Sequence, residues 1–270
     1  MPELPEVETT RRGLLPLSGQ RIAQVTIRNA AMRWPVPADL HDILPGQHFL
    51  ELNRRAKYIL VHCERGTLLL HLGMSGRLCL LPEFTPPQKH DHLDIAFASG
   101  QVMRLRDSRR FGAVLWLEGD PMKHALLRDL GPEPLQEGFG GEYLYRHTRN
   151  RPGAIKTALM DSHLVVGVGN IYASESLFRA GINPKTPASK ISRSRYESLA
   201  REVRNTLQEA IAAGGSSLRD FFGADGNPGY FQQEYFVYGR TGQPCKVCGA
   251  TIKTIRQGQR ATFYCPKCQK

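Results

Sequence analysis

The chain has 270 residues, a formal net charge of +11 and a sequence pI near 9.6. This length predicts two domains, and no apolar run approaches the ~18–20 residues of a membrane span. Glutamates among the first residues argue against a signal peptide. We therefore expect a cytoplasmic protein. A pI above ~9 is typical of nucleic-acid-binding proteins, but basic stretches are also common on solvated surfaces, so the charge by itself favours a nucleic-acid partner only modestly.

The N-terminus combines a helix start with a candidate nucleophile. Removal of Met1 would expose the secondary amine of Pro2, and an α-amino group has a pKa of only roughly 7.7–8.0. Such an amine can form a Schiff base, with Glu3 beside it to move protons. The alternative is that Pro5 and the neighbouring glutamates simply start a helix. On these residues alone, the helix start is the more common interpretation.

The following stretch, from about Val25 to Leu117, is divided into short apolar runs by turn residues. Many short strands at this spacing predict an antiparallel sandwich or barrel. The predicted strands are Gln24–Arg28, Tyr58–Cys63, Thr67–Leu72, Arg77–Leu81, Leu93–Ala98, Gln101–Arg106 and Ala113–Leu117.

Several loops of this region carry basic or aromatic side chains at strand ends. They include Lys57, His71 to Met74, His90 to His92 and Asp107 to Gly112. Paired arginines beside a phenylalanine can hold phosphates while the ring inserts between bases. The alternative is a solvated turn with a core phenylalanine, and on these residues alone this alternative is the more common interpretation.

Beyond a segment rich in proline and glycine, which predicts a linker, the pattern becomes helical. Ser194-x-x-Glu197 predicts a capping box at the start of a helix. Residues 214–230, with Arg219, have no regular pattern, and we expect a mobile lid over a ligand or plain disorder.

Gly167-Val168-Gly169-Asn170 predicts a glycine turn, with Asn170 as the N-cap of a helix from Ile171 to Ala180. Backbone amides at such a helix start attract a phosphate. An ordinary helix cap explains the same spacing equally well.

Four cysteines near the C-terminus form two Cys-x2-Cys pairs separated by 16 residues. This spacing is typical of a tetrahedral zinc site with four thiolates, which is structural because no coordination position stays open; unliganded cysteines are the alternative. The pairs are Cys245 with Cys248 and Cys265 with Cys268. Between them we expect a hairpin of Ala250–Ile255 and Arg260–Tyr264, with Arg260 near its tip.

Taken together, these stretches resemble the bacterial formamidopyrimidine-DNA glycosylases. The resemblance extends from Met1 to Lys270. It rests on Pro2 to Thr9, Arg55 to Tyr58, His71 to Gly76, Arg109 to Gly112, Gly167 to Ala173, and the four cysteines with Arg260.

The resemblance implies a bifunctional enzyme of base-excision repair. Such an enzyme removes oxidised purines, notably 8-oxoguanine and formamidopyrimidines, from double-stranded DNA and cleaves the abasic site by β,δ-elimination. It would act as a monomer in the bacterial cytoplasm, associated with the nucleoid through DNA. The implied fold is α+β with two domains: an N-terminal antiparallel β-sandwich with flanking helices, and a C-terminal helix–two-turn–helix with a four-cysteine zinc finger. The expected boundaries are 1–131, a linker 132–149, 150–234 and 235–270.

The resemblance also assigns roles to individual residues. Pro2 matches the nucleophile, Glu3 the proton donor that opens the sugar, Lys57 the residue of β-elimination and Arg260 that of δ-elimination. The residues that fill the space left by the everted nucleotide are Met74, Arg109 and Phe111, and the phosphate contacts are His90, Arg151, Asn170 and Arg260. Arg151 and Arg219 stand where some relatives carry lysine, which leaves details of base and phosphate recognition open.

Two other functions stay open at this point. An endonuclease VIII-like relative would prefer oxidised pyrimidines, although Leu4 and the set of Met74, Arg109 and Phe111 favour the purine enzyme. A non-enzymatic zinc-finger DNA-binding protein would explain the charge and the cysteines but leave Pro2 and Glu3 without a role.

Overall fold

The computed structural model describes residues 1–215 and 235–270, and these form two compact units. The first comprises mainly Met1–Arg128 and the second Asp129–Ala212 with residues 235–270. Most of the predicted lid, including Arg219, lies outside the described residues. In the part of the chain that is described, no helix is both long and apolar enough to cross a membrane.

In its described residues, the first unit is built from short strands and two α-helices. Its elements in chain order are α1 (Leu4–Gly13), β1 (Ile22–Ile27), α2 (Leu40–Ile43), β2 (Glu51–Arg55), β3 (Tyr58–His62), β4 (Thr67–His71), β5 (Arg77–Leu81), β6 (Asp91–Phe97), β7 (Val102–Arg106) and β8 (Ala113–Leu117). The strands form two antiparallel sheets, with orders β1-β6-β7-β5 and β2-β3-β4-β8.

The two sheets share one apolar core. Ile59 and Leu68 of one sheet belong to the same buried cluster as Ile95 and Met103 of the other. Burying these side chains on facing sheets is the stabilising principle of a β-sandwich. The predicted antiparallel sandwich with flanking helices is therefore confirmed.

One strand of the sandwich was not predicted. Strand β2 has the sequence Glu-Leu-Asn-Arg-Arg, in which only Leu52 is fully buried. Because its composition is polar, the sequence shows no strand pattern here. The strand is stabilised by antiparallel pairing with β3, from Glu51 opposite His62 to Arg55 opposite Tyr58.

The second unit is mainly helical. Its elements are α3 (Gly141–Thr148), α4 (Ile155–Leu159), α5 (Asn170–Arg179), α6 (Arg193–Ala212), β9 (Lys253–Gln257) and β10 (Arg260–Tyr264). Strands β9 and β10 pair as an antiparallel hairpin that turns at Gly258 and Gln259. The predicted first strand of this hairpin began three residues too early.

Helix α3 lies within the segment predicted to be a linker. A Cβ atom on Gly141 would lie 2.4 Å from Cα of Glu197 in α6, so the glycine allows the two helices to approach closely. The glycine that suggested a linker is therefore required for helix packing.

Two predicted helix starts are wrong. Helix α6 begins at Arg193, and Ser192 Oγ accepts the N–H of Arg195, so Ser194 already lies inside the helix. Helix α5 begins at Asn170 itself, and Gly169 is its N-cap. The side chain of Asn170 bonds to the β9–β10 hairpin instead of capping its own helix.

Candidate active site and DNA interface

The N-terminal residues lie at the start of α1, as both interpretations of the sequence required. Glu3 is the N-cap residue, and its N–H donates to Oε2 of Glu6 at 2.8 Å. The Glu3 side chain is buried, whereas Pro2 is half-buried and Met1 is exposed. The helix therefore holds Glu3 in a defined position and places Pro2 directly before it, the arrangement that a nucleophile with a neighbouring proton donor requires.

Lys57 lies in the two-residue turn between β2 and β3. Its neighbour Ala56 has a left-handed φ of +55°, and the Ala56 carbonyl accepts Nη1 of Arg54 at 2.9 Å. Nε of the same guanidinium donates to Oε2 of Glu8 in α1 at 3.2 Å. One arginine thus connects the helix that starts at Pro2 with the turn that carries Lys57.

His71, at the end of β4, is neutral in this environment. Burial of the ring, together with the positive charges of Lys57 and Arg33, lowers the pKa of His71 to about 4. Its Nδ1 accepts the N–H of Gly73 at 3.2 Å, which requires an unprotonated nitrogen there.

Arg109, Arg110 and Phe111 follow β7 in an exposed turn. The guanidinium of Arg109 lies 4.8 Å from the centroid of the Phe111 ring, and Phe111 is 39% exposed. An exposed phenylalanine beside arginines is suited to inserting between bases, the role that the resemblance implies for Phe111. Met74 is half-buried in the loop after β4.

A cavity of about 540 Å³ lies beside this turn. It is lined by Ala31, Met32, Arg33, Arg109, Arg110 and Phe111. Three arginines and no acidic residue are among the described residues that line this space, so its electrostatic character favours an anion such as a phosphate.

Left-handed backbone occurs at several of the predicted site residues. Among the described residues, four that are not glycine have positive φ, and each is a predicted site residue or the immediate neighbour of one. They are Ala56, His90, Arg110 and Gln259, with φ of +55°, +81°, +57° and +61°. Such conformations cost roughly 1–3 kcal/mol each and cluster at functional sites.

In the second unit, a buried lysine holds Asn170. Lys156 is 1% exposed, and its Nζ donates to Oδ1 of Asn170 at 2.6 Å, to Oγ1 of Thr262 at 2.7 Å and to the carbonyl of Ala261 at 3.1 Å. Nδ2 of Asn170 also donates to the Ala261 carbonyl, at 3.0 Å. The start of α5 is thereby joined to β10, the strand that Arg260 begins.

Arg151 is paired with an acidic side chain. Its Nη1 lies 2.6 Å from Oδ2 of Asp161, and Nδ1 of His163 lies 3.0 Å from the other carboxylate oxygen. Burial alone would raise the pKa of Asp161, but its hydrogen bonds with Arg151 and His163 lower it below its usual range. Arg151 is therefore held in one orientation at the surface of this unit.

The four C-terminal cysteines converge. The Sγ atoms of Cys245, Cys248, Cys265 and Cys268 all lie within 4.8 Å of one another, and all four are free thiols. Four sulfur ligands this close fit one tetrahedral zinc ion with a closed coordination shell. Arg260 is exposed at the start of β10, beside the hairpin turn.

The structural roles of two residues that organise these loops were not predicted. Asp107 is fully buried after β7 and holds the Arg109 turn, and Lys156 holds Asn170. The available signals were an aspartate at the start of the Asp-Ser-Arg-Arg turn and a lysine within an apolar helix. Neither pattern indicates which groups these side chains bind.

The chain was compared with known families and structures. Residues 1–114 match the formamidopyrimidine-DNA glycosylase N-terminal domain, residues 130–222 its H2TH domain, and residues 242–270 a zinc finger found in FPG and IleRS. The chain belongs to the formamidopyrimidine-DNA glycosylase family. This confirms the resemblance, the two-domain fold with its zinc finger, and the expectation of one structural zinc ion held by the four cysteines.

Relatives named formamidopyrimidine-DNA glycosylase align along the whole chain. The protein of Methylobacillus flagellatus is 64% identical over 270 residues, with 100% of this chain and 97% of that protein covered. The protein of Pseudomonas aeruginosa is 56% identical over 271 residues, with both chains fully covered.

Solved structures of the same family superpose closely. Lactococcus lactis Fpg in complex with DNA containing an abasic site has a TM-score of 0.91 and 35% identity, covering 99% of each chain. MutM in complex with DNA containing carbocyclic 8-oxo-G has a TM-score of 0.90 and 36% identity, covering 100% of each chain.

Proposed function

We propose that Pro2, freed by removal of Met1, is the nucleophile of a bifunctional DNA glycosylase and abasic-site lyase. The enzyme removes oxidised purines, 8-oxoguanine and formamidopyrimidines, from double-stranded DNA in base-excision repair. The observation that supports this role most directly is that α1 holds Pro2 and the buried Glu3 together at its start, in a member of this family.

The proposed reaction begins when the Pro2 nitrogen attacks C1′ of the damaged nucleotide. The glycosidic bond breaks, the base leaves, and Glu3 gives a proton to the ring oxygen so that the sugar opens to an iminium. Lys57 then assists β-elimination of the 3′ phosphate and Arg260 assists δ-elimination of the 5′ phosphate. Hydrolysis of the iminium restores the free Pro2 amine.

DNA is held by residues that we assign within each unit. Arg109 and Phe111, with Met74, occupy the space vacated by the everted nucleotide and offset the cost of unstacking it, a few kcal/mol. His90, Arg151, Asn170 and Arg260 contact phosphates, and the net charge of +11 adds salt-sensitive affinity.

The four cysteines hold zinc in the finger, where it stabilises the hairpin that displays Arg260 and performs no chemistry.

We assign the functional boundaries of the N-terminal domain, the linker, the helix–two-turn–helix domain and the zinc finger as 1–131, 132–149, 150–234 and 235–270. We also infer a monomer that works in the bacterial cytoplasm on nucleoid DNA.

Borohydride trapping tests the nucleophile. Protein whose Met1 has been removed, verified by mass spectrometry, is mixed with an 8-oxoguanine duplex and reduced. We expect a covalent protein–DNA adduct that peptide mapping locates at Pro2. A short N-terminal extension abolishes the adduct, whereas the same extension at the C-terminus does not. Failure of the processed protein to form an adduct contradicts the Schiff-base mechanism.

Substrate preference separates the purine enzyme from an endonuclease VIII-like relative. We expect excision of 8-oxoguanine opposite cytosine to be faster than excision of thymine glycol, and the reverse order would overturn the assignment. If neither base is removed although DNA binds, the non-enzymatic alternative holds.

Zinc removal tests the finger. We expect about one zinc ion per chain by elemental analysis, and loss of DNA binding after Cys248→Ala or chelation, while the β-sandwich stays folded. The matched control is Cys79→Ala, a cysteine outside the finger, which keeps both the metal and the binding. Full DNA affinity in the metal-free protein would contradict this role.

A further inference from the structure

Asp107 lies where three predicted DNA-contacting loops meet. The residue is fully buried, and it directly follows β7. The first loop, residues 72–76, is called the Met74 loop, and the second, residues 108–112, the Arg109 turn. The third is the segment around His90 that precedes β6.

The carboxylate of Asp107 joins the first two loops. Its Oδ1 accepts the hydroxyl of Ser75 at 2.6 Å and the N–H of Arg109 at 3.2 Å, and its Oδ2 accepts the N–H of Gly112 at 2.9 Å. Ser75 Oγ also accepts the N–H of Arg109 at 3.2 Å. Asp107, Ser75 and Arg109 therefore form a closed set of hydrogen bonds between the two loops.

The backbones of the two loops are also in direct contact. A Cβ atom on Gly73 would lie 2.3 Å from the carbonyl carbon of Phe111, and one on Gly112 would lie 2.7 Å from the carbonyl oxygen of His71. Gly73 has a φ of +60°, so a side chain there is disfavoured on two grounds. Neither loop can shift far without displacing the other.

The main chain of Asp107 connects the third loop. Its N–H donates to the carbonyl of His90 at 3.0 Å, and Nε2 of the buried His92 donates to its carbonyl at 2.7 Å. One buried residue thus has hydrogen bonds to all three loops.

We infer that Asp107 is a positioning residue that makes the Met74 loop and the Arg109 turn one rigid unit. The unit then presents Met74, Arg109 and Phe111 to the DNA with a fixed backbone geometry when the damaged nucleotide is everted. Because the backbone that carries these side chains is held before DNA arrives, little ordering of the loops is needed at the moment of insertion. The inference rests on the proposed function and adds to it the residue that couples the inserting side chains.

Ser75→Ala and Asp107→Asn test this coupling, and Ser99→Ala, in an exposed turn of the same sandwich, is the matched control. We expect excision of 8-oxoguanine opposite cytosine to fall roughly tenfold to a hundredfold in the first two variants. Cleavage of an abasic site in single-stranded DNA needs no insertion and stays at the parental rate. Fluorescence of 2-aminopurine beside the lesion reports slower eversion, and the control keeps all three parental values.

A double variant distinguishes coupling from two separate effects. Because Ser75 and Asp107 belong to one closed set of hydrogen bonds around the N–H of Arg109, the double variant should lose little more than Asp107→Asn alone. Parental excision in both single variants, or an equal loss on single-stranded abasic DNA, overturns the inference; if Asp107→Asn does not fold, Ser75→Ala decides. Absence of any abasic-site cleavage by the parent protein would instead contradict the proposed function.

Discussion

The Nε atom of Arg54 lies 3.2 Å from Oε2 of Glu8, and the two side chains are each only 11% exposed. Glu8 belongs to the helix that starts just after Pro2 and Glu3, whereas Arg54 also donates to the Ala56 carbonyl beside Lys57. The ion pair therefore links the helix and the turn that carry two groups we assign to successive steps of one reaction.

Loss of the Glu8 charge should destabilise the first unit in a pH-dependent manner. Burial alone would raise the pKa of Glu8, but hydrogen bonds from Arg11 and Arg12 and the charges of Arg11 and Arg54 lower it from 4.5 to about 2. The folded state therefore gains stability above pH 4.5 and loses it as the pH falls towards 2.

Glu8→Gln should reduce the free energy of unfolding near neutral pH by up to about 3 kcal/mol, with a smaller difference in acid. Urea unfolding at about pH 6 and about pH 3 measures this effect. Glu51→Gln, an exposed substitution on β2, is the control. A Glu8→Gln protein as stable as the parent near neutral pH would refute the prediction.

His71 should remain neutral throughout the neutral and mildly acidic range. Burial, with the charges of Lys57 and Arg33, lowers its pKa from 6.5 to about 4. Because the neutral ring is favoured in the folded state, its contribution to stability is complete above pH 6.5 and is lost as the pH falls towards 4. NMR titration of the ring, assigned with the variant His71→Asn, should show a midpoint well below 6.5, and a midpoint at 6.5 would disprove the assignment.

Phe111→Ala should impair excision without unfolding the protein. Phe111 is 39% exposed, so truncation costs the fold little, on the order of 0.5 kcal/mol. Excision of 8-oxoguanine should fall by roughly tenfold or more, because the ring offsets an unstacking cost of a few kcal/mol.

The matched control for this prediction is Phe84→Ala, since Phe84 is 63% exposed in the same unit and outside the proposed site. Single-turnover excision and thermal unfolding of both variants decide the matter. Equal excision rates for the two variants would remove Phe111 from the proposed interface.

Lys156→Met should weaken both stability and DNA binding in the second unit. The change keeps the chain length but removes the donor from Asn170, Thr262 and Ala261, and unpaired buried polar groups cost about 1–3 kcal/mol each. Lys190→Met, an exposed lysine of the same unit, should change neither property.

Chemical unfolding and the DNA dissociation constant of the two lysine variants test this account. We expect Lys156→Met to bind abasic-site DNA more weakly, because Asn170 and the strand that begins with Arg260 lose the bridging lysine and keep only the hydrogen bond from Asn170 to the Ala261 carbonyl. Parental affinity in a folded Lys156→Met protein would show that this network does not support binding.

Features that depend on neighbouring residues could be predicted from the sequence alone. The spacing of Cys245, Cys248, Cys265 and Cys268 encodes their convergence, since a metal knuckle needs only a few residues of chain. Short apolar runs separated by turns predicted the sandwich, because each strand carries its own pattern. The proline and glutamates of the first turn likewise predicted α1.

The tertiary structure alone decided which buried polar groups meet. Ser75 and Asp107 are 32 residues apart, and Lys156 and Thr262 are 106 apart. No local pattern specifies such pairs, because a hydrogen bond over this separation depends on how whole strands and helices pack. Packing also explains why Gly141, which the sequence suggested was a linker residue, lies at a contact between two helices. It likewise explains why the Asn170 side chain bonds to β10. The sequence thus determined the chemistry available to this protein, whereas long-range packing determined how it is positioned.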